Sequence, residues 1–220
     1  MDKFEPNSKN KIKRSPHRGV YDKKTIYKIL DDGFVCHAGF IHENQPFVIP
    51  MSYGRKSNSL YLHGASSSRF MKINEKENNI CITVTHIDGL VLSRAAFDHS
   101  VNYRSVVVLG KARKIEEFGR KLLALEAISE HIIPGRWREV RKPSDTEIKA
   151  TTILEVEIEQ ASAKIRSGPP DDQEDDYKLN IWAGIVPLSL TSTFPLKDPL
   201  LNENIEPTKA VLNFYMKFFE

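Results

Sequence analysis

His63-Gly-Ala-Ser-Ser-Ser-Arg-Phe-Met-Lys72 sets a glycine, three serines and two cations within ten residues. These residue types suit an anion. Ser66, Ser67 and Ser68 offer hydroxyl donors, Arg69 offers a planar fork for phosphate or carboxylate, and Lys72 adds a point charge. Gly64 would let a ligand approach the backbone. If Ser67 opens a helix, its unpaired N–H groups and the positive end of its dipole add to the attraction. The competing reading is a serine-rich helix cap with solvated cations, and local chemistry does not separate the two.

Two further groups carry chemical potential. Tyr103-Arg104-Ser105 opens a β-branched run that contains Gly110, which reads as ligand contacts at a strand start or as a plain strand with a bulge. Trp182 beside Gly184 can lie flat against a planar ring, or serve as a core tryptophan. His63 stands out among the seven histidines because it ends the strand leading into the serine-rich segment. No histidine or cysteine spacing suits a metal, and no Ser-His-Asp context is present. The acidic run Asp171–Asp176 reads as a solvated loop.

Positioning such residues takes a scaffold, and 220 residues suffice for one packed domain. A net charge of +3 with 28% charged residues gives no ground for a nucleic-acid partner. No apolar run approaches the roughly 20 residues of a membrane span. Cys36 and Cys81 sit in apolar runs and read as free buried thiols, consistent with a reduced, cytoplasmic setting. The polar N-terminus does not read as a signal peptide.

Alternation and turn residues predict strands over 34–41, 46–53, 60–63, 80–86, 90–95, 103–114 and 152–159, the last continuing toward 164–166. Asp88-Gly89 reads as a hairpin turn. Helical spacing predicts helices over 23–30, 67–77, 116–133 and 211–219, with a capping box at Ser144–Glu147. Hairpin-linked strands with inserted helices argue for a mostly antiparallel sheet closing into a barrel. Residues 1–18 read as a basic arm, 19–190 as the barrel domain and 191–220 as an extension.

The ordered set Arg18-Gly19, Gly33-Phe-Val35, Pro50-Met-Ser-Tyr53, His63-Gly-Ala65 with Ser68-Arg69, Tyr103-Arg-Ser105 with Gly110, and Trp182-x-Gly-x-x-Pro187 resembles the pyridoxamine 5'-phosphate oxidase-related, FMN-binding split-barrel family. It is most similar to the branch of Nim-type, 5-nitroimidazole-resistance flavoproteins. The resemblance implies a six-stranded split barrel forming a homodimer, with FMN between the subunits. It further implies Ser67, Ser68, Arg69 and Lys72 at the phosphate beside Gly64. Pro50, Met51, Ser52, Tyr53 and His63 would stand near the ring. Tyr103, Arg104 and Ser105 would complete the pocket, and Trp182 would approach from the partner subunit. His63 is the candidate for a catalytic role. The arginine-rich C-terminal segment of authentic pyridoxamine phosphate oxidases is absent, so their substrate is not expected. The expected activity is FMN-dependent electron transfer from a nicotinamide to a small acceptor. The alternative is a non-catalytic module binding flavin or haem in the same cleft.

Overall fold

Period-two burial runs through every long strand, and it decides the fold: one face of each strand is sealed and the other is left for later use. The computed structural model describes residues 2–219. Nine strands follow in order: β1 (Gly19–Val20), β2 (Val35–His42), β3 (Gln45–Lys56), β4 (Ser59–Ala65), β5 (Lys76–Leu92), β6 (Ser100–Lys114), β7 (Thr151–Glu157), β8 (Gln160–Arg166) and β9 (Gly184–Pro187). The helices are α1 (Lys23–Asp32), α2 (Arg69–Asn74), α3 (Phe118–Ile132), α4 (Arg136–Glu139), α5 (Asp145–Ala150) and α6 (Lys209–Phe218).

Six strands form a closed antiparallel ring, β6-β7-β4-β3-β2-β5, completed by the β5–β6 pairing. This is the expected six-stranded split barrel. Strands β8 and β1 extend it beyond β6, and β9 beyond β5. The β2–β3 turn is tight because Glu43 and Asn44 both adopt left-handed backbone, with φ of 49° and 62°. Inside the ring, Leu60, Leu62, Ile82, Val106, Val108 and Val156 are fully buried. Helix α1, capped by Asp22 on the Thr25 amide, adds Ile26, Ile29 and Leu30 to this core.

Several elements differ from the sequence reading. Asp88-Gly89 is not a hairpin. β5 runs straight through it as one strand, with a register shift between Ile87 and Gly89 against β6. The signal is a bulge, which uses the same residue types as a turn. The expected strand over 152–159 stops at Glu157, and a separate β8 begins at Gln160. Both pair with β6, at different ends. Helix α2 starts two residues later than expected and ends sooner. Residues 1–18 were expected to be a solvated arm, yet Phe4 and Asn10 are buried against the barrel.

Helix α3 lies across the outer face of β3 and β4. Gly54 permits this approach, since a Cβ there would stand 2.5 Å from the Ile128 Cα. Beyond α3 the outer face continues across β3, β2, β5 and β6, and much of it stays open.

Candidate functional site

On the barrel strands, odd and even positions face opposite ways. On β3, Ile49 and Met51 pack against the core, while Val48 (65% exposed) and Pro50 face out. Val35 and Ile41 of β2 and Ile87 of β5 are also exposed. Together these residues make an apolar outer surface of a kind that monomers seldom leave bare. A cavity of about 500 Å³ opens at its hairpin end, lined among others by Gly39, Val48, Cys81, Leu109 and Gln160. Gly39 forms a low point, with only ordinary contacts awaiting a Cβ there. The Gln160 side-chain oxygen is buried without a hydrogen-bond partner.

The residues expected to bind an anion lie beside this surface. Arg69 and Lys72 are exposed, and neither forms an ion pair among the described residues. Arg69 lies over the Phe47 ring at 4.7 Å, and Phe47 also lines the cavity. Ser67 is exposed, and Ser68 precedes α2 with its hydroxyl making no cap bond. The four side chains thus present a cluster of uncommitted donors. Gly64 has a different task from the one expected. A Cβ there would meet the Met71 side chain at 2.7 Å, so the residue is small in order to seat α2 on β4.

Ser52 and His63 lie one step beyond the paired residues Tyr53 and Leu62, on the outward side of their strands. His63 borders a cavity of about 270 Å³ with Leu125, Arg141, Pro143, Glu147 and Thr151. Its Nδ1 is buried and unpartnered. Burial holds the imidazole below its ordinary pKa, so it is neutral near pH 7.

Two expected contacts are corrected, the first on β3, where the side chains of Met51 and Tyr53 both turn inward to the core. Tyr53 is fully buried, with its hydroxyl donating to the Leu30 carbonyl. Burial pushes its phenol well above the ordinary range. Its position on the inward side of β3 removes its side chain from the outer surface. Arg104 faces away from Tyr103 and Ser105. It forms a two-pronged pair with Asp88 (3.0 and 2.9 Å) and reaches Asp32 at 3.2 Å. The hydrogen bonds it donates to Asp88 lead the causes that raise its pKa. Two carboxylates already occupy it.

Tyr103 and Ser105 do face outward, and the Ser105 hydroxyl donates to the Lys164 carbonyl at 3.3 Å. Trp182 is 67% exposed and leans on its own Gly184. Phe47, Gly39 and Gln160 were not singled out in the sequence. The parity of β2 is the signal that would have found Gly39, whereas Phe47 shares the inward parity of Ile49 and Met51. No group of three or more His, Cys, Asp or Glu able to hold a metal occurs among the described residues. No helix among them is long and apolar enough to cross a membrane.

Residues 22–165 match the family model described as pyridoxamine 5'-phosphate oxidase. Among solved structures, the flavocytochrome Anf3 from Azotobacter vinelandii is 34% identical, with a TM-score of 0.89, covering 94% of this chain and 96% of that one. The FAD and haem binding protein from Mycobacterium smegmatis is 27% identical, with a TM-score of 0.86, covering 89% and 96%. A protein described as a 5-nitroimidazole antibiotic resistance protein, from Bacteroides thetaiotaomicron, is 26% identical with a TM-score of 0.56, covering 67% and 86%. No curated protein matches the chain.

Proposed function

This chain belongs to the pyridoxamine 5'-phosphate oxidase family, and from that premise we propose that it is a flavoprotein holding FMN on the outer face of β3, with a second copy of the chain closing over it. The observation that carries this reading is the uncommitted Arg69–Lys72 cluster beside a bare apolar surface. A phosphate would take the Arg69 fork, the Lys72 ammonium and the Ser67 and Ser68 hydroxyls. Val48, Pro50 and Ser52 would support the planar ring, and the unpartnered Gln160 amide offers an acceptor to a ring N–H. Tyr103 and Ser105 would flank the cleft.

A bound flavin supplies hydride exchange at N5, so the protein needs few reactive groups of its own. Its residues anchor the phosphate, exclude water and orient a partner molecule. In this reading neutral His63, outward on β4, would hold a proton at its unpartnered Nδ1. We assign the protein as an oxidoreductase taking electrons from a nicotinamide and passing them to a small acceptor. Family relatives described as a flavocytochrome and as an FAD and haem binding protein support a flavin-based electron carrier.

The test is a visible spectrum of the purified protein, followed by chromatography of the released cofactor. Flavin bands and released FMN are expected. Released FAD would keep the flavoprotein and remove FMN. A colourless protein that gains no flavin absorbance on titration would sink the reading. Anaerobic addition of NADH or NADPH should bleach the flavin, and an unbleached flavin would leave a binding module. The homodimer is tested by sedimentation: Val48→Glu should shift the protein toward monomer.

A second reading has its own observation. The unpartnered His63 Nδ1 beside a cavity would suit a haem ligand. A Soret band on haemin addition that is lost in His63→Ala supports haem, and no band removes it.

A further inference from the structure

Arg166 ends β8 with 8% of its surface exposed, yet it forms no ion pair among the described residues, and the Asp171 carboxylate offsets its charge only from a distance. Its guanidinium donates to the Asn102 side-chain oxygen, the Gly168 carbonyl (3.3 Å) and the Pro169 carbonyl (3.2 Å), all neutral. Elsewhere in the chain, Arg55, Arg94, Arg104 and Arg120 each meet a carboxylate. A buried charge served only by neutral acceptors is under-compensated. Arg18 makes the imbalance worse. It stands near enough to oppose the charge on Arg166, after burial the next cause holding that group below its ordinary pKa. Arg18 itself has no ion pair among the described residues.

Both side chains line a cavity of about 460 Å³ between the Pro16–Arg18 turn and the loop after β8. His17 and Ser167 add an imidazole and a hydroxyl to its wall. Asp171, exposed, is the one acidic side chain on the wall, and it makes no ion pair among the described residues. Two permanent cations against one carboxylate leave the cavity positive. Pro169 and Pro170 stiffen its wall.

We propose that this cavity is a second anion site, in which Arg18 and Arg166 take a phosphate group. Strands β6 and β7 separate β8 from β4 in the sheet, so the site is distinct from the Arg69–Lys72 cluster. The phosphate would come either as the free ion or within the pyrophosphate of a dinucleotide. Guanidinium forks suit both.

The test is calorimetric titration of the full-length protein with inorganic phosphate, and separately with ADP-ribose, at matched ionic strength. Saturable binding of at least one is expected. Arg18→Gln should weaken it by about tenfold or more, as for a lost charge-assisted bond, and Arg18→Lys should recover part of it. Arg18 is chosen because Arg166 also holds the loop after β8. Arg69→Ala should leave this binding within about twofold, which keeps the outcome separate from the flavin reading. ADP-ribose binding about tenfold tighter than phosphate points to a dinucleotide, and comparable affinities point to the free ion. Absence of saturable binding by either probe, or equal affinity in wild type and Arg18→Gln, would overturn the proposal.

Discussion

Arg69 and Arg104 were read from the sequence as two parts of one pocket, and the structure puts them to opposite uses. Arg104 lies between Asp88 and Asp32, its charge spent on joining the β5 bulge to the end of α1. Arg69 meets only the face of Phe47. The contrast teaches how to separate a structural cation from a functional one: ask what already neutralises it. A guanidinium with two carboxylates has little left for a ligand. One with none keeps its donors available, and the same question singled out Arg166.

The comparison can be broken from either side. The largest expected effect is on the open side. Arg69→Ala should weaken flavin binding by about 1.5–3 kcal/mol, the range for a charge-assisted hydrogen bond, while leaving unfolding of the apoprotein within about 0.5 kcal/mol. Fluorescence titration and thermal melts of one preparation read both numbers. A large stability loss with intact affinity would reverse the assignment of the two arginines. Arg104→Ala should do the opposite, costing about 1–2 kcal/mol of stability and leaving flavin affinity within about twofold. The estimate is reduced because the side chain is 34% exposed. Asp88→Asn should cost less, about 0.5 kcal/mol, since Asp32 and one oxygen acceptor remain. A loss equal to that of Arg104→Ala would mean that Asp88 carries the whole network.

A pair of histidines sharpens the contrast by pH. His131 uses both ring nitrogens, with Nε2 on the Gly33 carbonyl at 2.8 Å and Nδ1 near the Arg55 amide at 3.4 Å. His63 has a free Nδ1. Burial lowers the pKa of both below the ordinary 6.5. The unfolded chain therefore binds protons first as pH falls. Their stabilising contribution is present above about pH 6.5 and is lost below it. The melting temperature should drop between pH 7 and 5.5, and less so in His63→Phe. A flat profile over that range would contradict neutral burial of these imidazoles.

The barrel was legible because alternation is a local property, and Leu60, Leu62, Val106 and Val108 keep strict period-two spacing. The same parity already held the two corrections. Tyr103 and Ser105 cannot share a face with Arg104, and Tyr53 cannot share one with Pro50 and Ser52. What parity cannot give is which face is inside, or which distant carboxylate waits there. The Arg104–Asp88 pair spans a bulge that reads, residue by residue, as a turn. Arg166 carries no role of its own in the sequence, because its lack of an ion pair appears only once the loop after β8 is folded around it. Gln160 was hidden for the same reason.

For anyone redesigning this scaffold, two of its glycines are unequal. Gly54 is fixed by main-chain atoms of α3, which cannot step aside, so a library that varies it will mostly return unfolded chains. Gly39 meets the first atom a Cβ would touch at 3.5 Å, an ordinary distance, at the low point of the outer surface. Alanine or serine there would make the trough shallower without disturbing the barrel. Under the proposed function, position 39 is the place to tune cofactor fit, and position 54 one to leave alone.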